Sequence, residues 1–242
     1  MINGKQCTVL WHVDDIKISH VDKNVVTQVL DLLSGEFGKE SPLTITRGKR
    51  HQYLGMQIDY TKKKQVQITM YDYIHNMLNE LPPDMDGGAT TPAANHLFSV
   101  NQEAQKLNEK SAEMFHHNVA KLLYLCKRAR PDIQTAVAFL TTRVKKPDQD
   151  DLKKLRRVMR YLRNTSHIPL TLEADGTHII KWWGDASDAT HDDMKSHTGG
   201  VMTLGKGVIQ GSSTSQVNTH RFQLMLFRSL ILSLNYIGQG IF

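Results

Sequence analysis

At 242 residues the chain is long enough for one large domain or two domains of ordinary size. Hydrophobic residues make up 40% and charged residues 22% of it, a composition that supports a packed core and excludes wholesale disorder. The net charge of +6 is concentrated, because residues 111–165 hold thirteen Lys and Arg against five Asp and Glu. An anionic partner is therefore expected to bind this region.

The cysteines and the apolar stretches predict an intracellular protein. Cys7 and Cys126 fall in apolar strand and helix patterns, which favours buried free thiols over a disulfide framework. The N-terminus, MINGKQC, lacks the apolar segment of a signal peptide. The longest apolar stretch, residues 224–234, is short and interrupted by Arg228, so we expect no membrane span.

The first predicted elements are two strands in the stretch TVLWHVDDIKISH, residues 8–20. Apolar residues alternate on both sides of a pair of acids, which indicates a half-buried hairpin with a tight turn at Asp14 and Asp15. A helix capped by Asp22 is expected to run to Phe37, because its apolar residues recur at helical spacing.

The next residues predict strands, a short helix and a long loop. Residues 40–70 alternate as short strands, with a turn at the three lysines 62–64. Residues 71–81 are typical of a helix that ends at Pro82. Residues 84–107 are rich in Gly, Pro, Thr and Asn, as linkers are.

Three helices are predicted in the basic region. The second begins at Pro131, a residue favoured in the first turn of a helix. Asp148 is expected to cap the third, whose first turn carries two more acids that suit the helix dipole. The residues expected to be buried by the three helices are Phe115, Val119, Leu122, Cys126, Ile133, Val137, Leu140, Val144, Leu152, Leu155, Met159 and Leu162.

The third helix also has a strongly basic face, formed by Lys153, Lys154, Arg156, Arg157, Arg160 and Arg163. A charged helix face is commonly a solvated surface, and that interpretation stays open. The alternative is a row of phosphate contacts, which would be independent of base sequence and sensitive to salt.

Strands return from residue 168 onward, in four stretches that alternate apolar and polar residues. Gly205, Lys206 and Gly207 are predicted to form a hairpin turn between the last two. Asp185 follows the stretch HIIKWWG and, taken alone, suits a surface turn as well as a metal site.

The paired acids of the first hairpin also have two interpretations. Asp is a favoured turn residue, so Asp14 and Asp15 can form a solvated turn. Two carboxylates 4 Å apart repel by roughly 1 kcal/mol in water, and a divalent cation would relieve that repulsion. Mg²⁺ prefers carboxylate oxygens, and phosphoryl transfer commonly uses two ions about 3.5–4 Å apart. The dipeptide alone favours the turn.

Four segments resemble, in the same order, the polyproteins of copia-type (Pseudoviridae) retrotransposons. LWHVDDIKIS resembles the active-site hairpin of their reverse transcriptases, and YLGMQIDY resembles the later primer-grip strand. Residues 119–165 resemble the segment that follows, and WWGDASDATHDDMKSHTGGVMTLGKGVIQGSSTSQ resembles the start of the RNase H domain. Because the matches are collinear over residues 5–219, the chain is identified as the C-terminal part of a reverse transcriptase followed by the start of an RNase H domain.

The resemblance implies roles for particular residues. Asp14 and Asp15 would be two carboxylates of the polymerase site, which holds Mg²⁺ or Mn²⁺ and acts on a deoxynucleoside triphosphate and a primer 3′-hydroxyl. Asp185 would be the first metal-binding acid of the RNase H site. An RNA template and an RNA–DNA hybrid would be the partners, in a cytoplasmic virus-like particle or the nucleus. The basic face would contact nucleic acid through Lys153, Arg156, Arg157 and Arg160.

The chain departs from the family pattern in three places. Position 12 is His where Tyr is usual. A third polymerase acid is expected well upstream of the hairpin. A catalytic Glu is expected just after Thr219, but residues 194–242 contain neither Asp nor Glu. We therefore expect that this chain alone does not polymerise DNA. Residues 220–242 are interpreted as a reading-frame change, a misjoined gene model or an amphipathic helix packed on the sheet.

The expected fold class is α+β, in three parts. Residues 1–110 would form the end of a palm with the strands after it, residues 111–167 a three-helix connection, and residues 168–242 a truncated RNase H-like mixed sheet with a divergent tail. Two functional hypotheses follow. The chain is either a reverse transcriptase region completed by other polyprotein segments, or a non-catalytic remnant that binds nucleic acid weakly through its basic helix.

Overall fold

The structure, a computed structural model, describes residues 1–39, 41–82, 87–187, 190–191 and 194–215. The divergent residues 220–242 lie outside the described residues. The helices are α1 (Lys23–Phe37), α2 (Tyr71–Asn79), α3 (Glu109–Arg128), α4 (Gln134–Arg143) and α5 (Gln149–Thr165), with a 3₁₀ helix over Pro131–Ile133 before α4. The strands are β1 (Thr8–His12), β2 (Asp15–Ser19), β3 (Arg50–Tyr53), β4 (Met56–Asp59), β5 (Gln65–Thr69), β6 (Leu170–Ala174), β7 (Lys181–Ser187), β8 (His197–Thr203), β9 (Gly205–Lys206) and β10 (Gln210–Ser215).

Helices α1, α3 and α5 begin where short polar side chains satisfy the first backbone amides, which have no partner within a helix. Asp22 accepts a hydrogen bond from the backbone N–H of Asn24 at 2.8 Å, and α1 ends at Phe37 as predicted. Asn108 accepts from the backbone N–H of Ser111 at 2.9 Å and starts α3. The second predicted helix of the basic region is confirmed, but its first turn is a 3₁₀ helix.

All strand pairings among the described residues are antiparallel. The strands form a two-stranded sheet (β1-β2), a three-stranded sheet (β10-β8-β7) and a five-stranded sheet (β3-β4-β5-β6-β9). The α+β class is therefore confirmed. The mixed sheet predicted for the C-terminal part is not seen in the described strands, because β7, β8 and β10 follow one another through connections shorter than parallel crossovers need.

The five-stranded sheet joins two distant parts of the sequence. Strand β6 pairs with β5 through Val66 opposite Leu172 and Ile68 opposite Leu170. Hydrogen bonding thus continues across the predicted boundary at residue 168.

The predicted hairpin is present, since β8 and β10 pair antiparallel, but its connection at residues 205–207 includes the short strand β9 instead of a simple turn. Gly205 and Lys206 pair with Ala174 and Glu173 of β6. Gly205 has a φ of +143°, and a Cβ there would lie 2.5 Å from the carbonyl oxygen of Glu173. The glycine therefore allows a close backbone approach that a side chain would block.

The core lies among α2, α3, α4 and α5. The apolar positions predicted from helical spacing are buried there, with Phe115, Leu122, Ile133, Leu155 and Leu162 fully enclosed. Val144 is half-buried, since it follows the last residue of α4.

Both cysteines are free thiols, as predicted; Cys126 is buried and Cys7 half-buried. Within the described ranges, no helix combines the length and apolar character needed to cross a membrane.

Candidate functional site

The acidic hairpin has the predicted strands but a different turn. His12 pairs with Asp15, so the two-residue turn consists of Val13 and Asp14, and Asp15 is the first residue of β2. Val13 has a φ of +53°, a left-handed conformation that is strained for a β-branched residue. The indole N–H of Trp11 donates to the carbonyl oxygen of Val13 at 2.6 Å and stabilises this turn. The turn predicted at Asp14 and Asp15 is thus one residue too late.

The hairpin is more exposed than its alternating pattern predicted. The side chain of Trp11 is 70% exposed, that of Val13 79%, and both carboxylates are exposed. The reason is that β1 and β2 form a two-stranded sheet with no third strand among the described residues.

The ligand set for a metal is incomplete in the described part of the chain. Asp14 and Asp15 offer carboxylate oxygens, which suit Mg²⁺ or Mn²⁺ chemically. No group of three or more His, Cys, Asp or Glu side chains in the described ranges could hold a metal ion. The described residues therefore contribute at most two carboxylates, those of Asp14 and Asp15, to a metal site at the hairpin.

Asp185 lies in a different sheet from the acidic hairpin. It sits in β7 opposite Gly199 of β8, and it is exposed. The sequence next to it includes residues 188–189 and 192–193, which lie outside the described residues. The structure therefore does not bring Asp185 together with Asp14 and Asp15 in one sheet.

The basic helix α5 starts with a complete capping box. Asp148 accepts from the backbone N–H groups of Asp150 at 3.1 Å and Asp151 at 3.0 Å, while the side chain of Asp151 accepts from the Asp148 N–H at 3.0 Å. Arg143 donates to both carboxylates, and Lys106 donates to Asp148 at 3.1 Å. This arrangement fixes the start of the helix and hence the direction of its basic face.

The basic residues of α5 divide into several environments. Lys153 is exposed, whereas Arg156, Arg157 and Arg160 are half-buried. Lys154, expected on the charged face, is instead 7% exposed. Its ammonium pairs with Asp150 at 2.9 Å and lies 4.6 Å above the ring of Phe139, so its charge is satisfied inside the protein.

The segment of residues 87–99 covers part of this basic face. Arg157 donates to the hydroxyl of Thr91 at 2.8 Å, and Asn164 donates to the carbonyl oxygen of Ala89 at 3.3 Å. A Cβ at Gly88 would lie 2.4 Å from the Asn164 amide nitrogen, so a side chain there would displace Asn164 from this contact. The basic face is therefore partly the wall of a crevice and partly open surface.

A histidine cluster that no sequence pattern indicates lies between the helical core and the three-stranded sheet. His197 Nδ1 lies 3.1 Å from His191 Nε2, and His197 Nε2 lies 2.7 Å from the hydroxyl of Ser213. The ring of Phe98 lies against both histidines, with centroid distances of 4.7 Å to His191 and 4.6 Å to His197. From the sequence alone, both histidines are predicted to be surface residues. Their spacing matches no zinc signature, so only a tertiary contact could reveal the pair.

Comparisons with known proteins identify several retrotransposon proteins as relatives. The chain is 27% identical over 215 residues to the retrovirus-related Pol polyprotein from transposon TNT 1-94 of Nicotiana tabacum, an alignment that covers 86% of this chain and 16% of the relative. It is 25% identical over 195 residues to the putative transposon Ty5-1 protein of Saccharomyces cerevisiae, covering 80% of this chain and 60% of that protein. It is 28% identical over 209 residues to the retrovirus-related Pol polyprotein from transposon RE1 of Arabidopsis thaliana, covering 86% of this chain and 14% of the relative.

The chain thus spans a minor part of the two Pol polyproteins and under two thirds of the Ty5-1 protein. No family model matches it, and no solved structure matches it. The homologues of this chain include Pol polyproteins of retrotransposons, which confirms its resemblance to such polyproteins.

Proposed function

We propose that the chain is a retrotransposon Pol segment that carries the C-terminal part of a reverse transcriptase and the start of an RNase H domain. The observation that supports this most is the similarity to retrotransposon proteins along 80–86% of the chain. The four motifs in the sequence lie in the order expected of the copia-type family. The function that follows is handling of an RNA template and an RNA–DNA hybrid.

The acidic hairpin is our candidate for the polymerase metal site. Asp14 lies in the turn and Asp15 begins the returning strand, so both carboxylates stand at one end of β1 and β2. Bound Mg²⁺ or Mn²⁺ would supply electrostatic stabilisation of the phosphates and activation of the primer hydroxyl. Asp14 and Asp15 would hold the ion, and the remaining ligands would come from groups beyond the described residues.

Asp185 is our candidate for an RNase H metal ligand. It lies in β7, and β7 pairs with β8 over seven residue pairs from Lys181 to Ser187. An exposed acid held on a strand has a fixed backbone position, as a metal ligand requires.

A nucleic-acid-binding role without catalysis is the second candidate, and the charge distribution favours it. Residues 111–165 carry a surplus of eight positive charges. Lys153, Arg156, Arg157 and Arg160 would contact phosphates from one helix. Such contacts fix a protein on a duplex without reading its sequence.

Primer extension with Mg²⁺ or Mn²⁺ separates the catalytic from the binding function. The comparison is between the wild-type chain and an Asp14→Asn, Asp15→Asn double variant. If the wild-type chain extends the primer and the double variant does not, catalysis belongs to the hairpin. If both proteins extend the primer, the hairpin has no part in the mechanism. We expect no extension by the isolated chain, together with measurable binding of an RNA–DNA hybrid.

Hybrid binding is measured by fluorescence anisotropy at several salt concentrations. Replacing Arg156, Arg157 and Arg160 with Ala is expected to reduce the slope of log K against log salt by about 3, since each phosphate contact contributes about 0.9. The control replaces the exposed lysines 62–64 with Ala, which removes the same charge from the β4–β5 turn. Equal losses in both variants would overturn the role of α5, and absence of hybrid binding by the wild type would overturn the binding function.

A further inference from the structure

A cavity of about 260 Å³ lies between α5 and the segment of residues 87–97. The helix contributes Lys153 and Arg157 among other charged residues, and the segment contributes Pro92, Ala94 and Leu97 among other mostly apolar residues. One wall is therefore mostly basic and the opposite wall mostly apolar.

The basic wall carries a surplus of positive charge. Among the described residues, the cavity is lined by four cationic side chains and one carboxylate, that of Asp150, with which Lys154 pairs at 2.9 Å. Lys153 and Arg157 carry charge that Asp150 does not pair with, and their positions, four residues apart, share one face of the helix. An anion in the cavity would meet cations that Asp150 does not neutralise.

Arg157 has hydrogen-bonding capacity left inside the crevice. Its Nη2 donates to Thr91, but its Nε is buried and finds no acceptor in the described part of the chain. A buried donor without a partner costs free energy, which an oxygen ligand would recover. Lys153, which makes no hydrogen bond with another described residue, is exposed and could reach the same ligand from the rim.

The cavity is built into the fold on both sides. The segment is held against the helix by the bonds of Arg157 to Thr91, of Asn164 to Ala89, and of Lys154 to the carbonyl oxygen of Ser99. Leu97 is buried and belongs to the main core. The walls are therefore fixed before a ligand binds, which lowers the entropic cost of binding.

Size and lining together define the class of ligand. Sites for drug-sized molecules have volumes of about 300–1,000 Å³, so this cavity suits a small ligand. Arg binds phosphate through two parallel hydrogen bonds. The apolar wall of Pro92, Ala94 and Leu97 suits a sugar or a base better than a second charge.

We propose that this cavity binds one nucleotide unit, with its phosphate on Lys153 and Arg157 and its sugar or base against Pro92 and Leu97. The inference rests on the proposed nucleic-acid-binding function and narrows it. One phosphate of a bound strand, or of a free nucleotide, enters the cavity. Arg156 lies outside the cavity and does not contact this phosphate. Other phosphates are contacted by the open part of the basic face.

The test uses isothermal titration calorimetry of the full chain with deoxyadenosine monophosphate, deoxyadenosine and inorganic phosphate. The monophosphate is expected to bind, inorganic phosphate to bind more weakly, and deoxyadenosine to give no measurable binding. Deoxyadenosine binding equal to the monophosphate would overturn the phosphate site. Inorganic phosphate binding as tightly as the monophosphate would overturn the role of the apolar wall.

Variants locate the binding within the cavity. Arg157→Ala and Lys153→Ala are each expected to weaken monophosphate binding about tenfold or more, because charge-assisted hydrogen bonds are lost. Ala94→Leu keeps every charge but fills part of the cavity, and it should abolish binding. Arg163→Ala removes one charge from α5 outside the cavity and should leave the affinity unchanged. If Arg163→Ala weakened monophosphate binding as much as Arg157→Ala does, the proposed binding in the cavity would be wrong.

The hybrid-binding assay distinguishes the two proposals. Ala94→Leu is expected to lower RNA–DNA hybrid affinity severalfold and to leave the salt dependence nearly intact, because most phosphate contacts remain. Hybrid binding by the wild type without any monophosphate binding would overturn the pocket and leave the proposed function standing. A 5′-phosphorylated single-stranded oligonucleotide that competes with the monophosphate would identify a strand as the source of the phosphate. Failure to compete would assign the pocket to free nucleotides.

Discussion

Arg130 binds the carboxylate of Asp132 through two parallel hydrogen bonds, from Nε to Oδ1 at 2.9 Å and from Nη2 to Oδ2 at 2.7 Å. The guanidinium, only 2% exposed, also donates to the carbonyl oxygen and the hydroxyl of Thr165 at 2.9 and 2.8 Å. Tyr161 donates its hydroxyl to Asp132 at 2.8 Å. This network links the end of α3 to the end of α5 and thereby positions the basic helix.

Asp132→Ala is expected to destabilise the fold by about 3 kcal/mol, because it leaves the buried guanidinium without its countercharge. Tyr161→Phe, which removes one hydrogen bond to the same carboxylate, should cost about 1 kcal/mol. Urea unfolding followed by circular dichroism measures both. A cost of Asp132→Ala no greater than that of Tyr161→Phe would show that the ion pair adds nothing to stability.

The helical part of this fold could be predicted from the sequence, because its signals are local. Asp22 and Asp148 accept from backbone amides two or three residues away. The apolar spacing of α3 and α5 defines the faces that are buried in the core. Helix caps and apolar spacing depend only on residues that are close together in the sequence.

The parts that could not be predicted depend on distant segments. Val66 meets Leu172 across more than a hundred residues, and no local pattern specifies that pairing. Lys154 looks like its exposed neighbour Lys153 in the sequence, but contacts with Phe139 of α4 and with Ser99 of the covering segment bury it. The exposure of the acidic hairpin likewise depends on which strands lie beside it.

Asp148→Ala is expected to destabilise the fold by about 2 kcal/mol or more. It removes the cap of α5 and an acceptor for Lys106 and Arg143. Asp148→Ser keeps a capping oxygen and loses the charge, so it should recover about 1 kcal/mol relative to alanine. Thermal unfolding of both variants measures the difference. Equal stability of the two would show that capping is not what Asp148 contributes.

Cys126 is expected to be inert to thiol reagents in the native protein. Burial raises the pKa of its thiol to about 11, so at pH 8 about a thousandth of it is the reactive thiolate. Titration with a chromogenic disulfide should therefore modify only the half-buried Cys7 quickly in buffer. In denaturant, where Cys126 is exposed as well, both thiols should react. In Cys7→Ser, rapid reaction of the native protein would contradict the burial of Cys126.

The histidine cluster is expected to make stability depend on pH. Burial, with a smaller effect of the neighbouring imidazole of His191, holds the pKa of His197 below its ordinary value. The unfolded chain, in which the pKa of His is about 6.5, therefore takes up a proton at a higher pH than the folded chain does. The contribution of His197 to the free energy of unfolding is therefore fully present above the pKa of the unfolded chain. It is lost as the pH falls from there through the lower pKa of the folded protein.

His197→Gln tests this dependence, because an amide can still bond to Ser213 and does not titrate. Unfolding free energies at pH 8, 7, 6 and 5 should fall more steeply for the wild type than for the variant. The difference between the two curves isolates His197, since every other titrating group is common to both proteins. Parallel curves would mean that His197 takes up its proton equally well in the folded and unfolded chain. In that case water would reach the imidazole of His197 in the folded protein in spite of its contacts with His191 and Phe98.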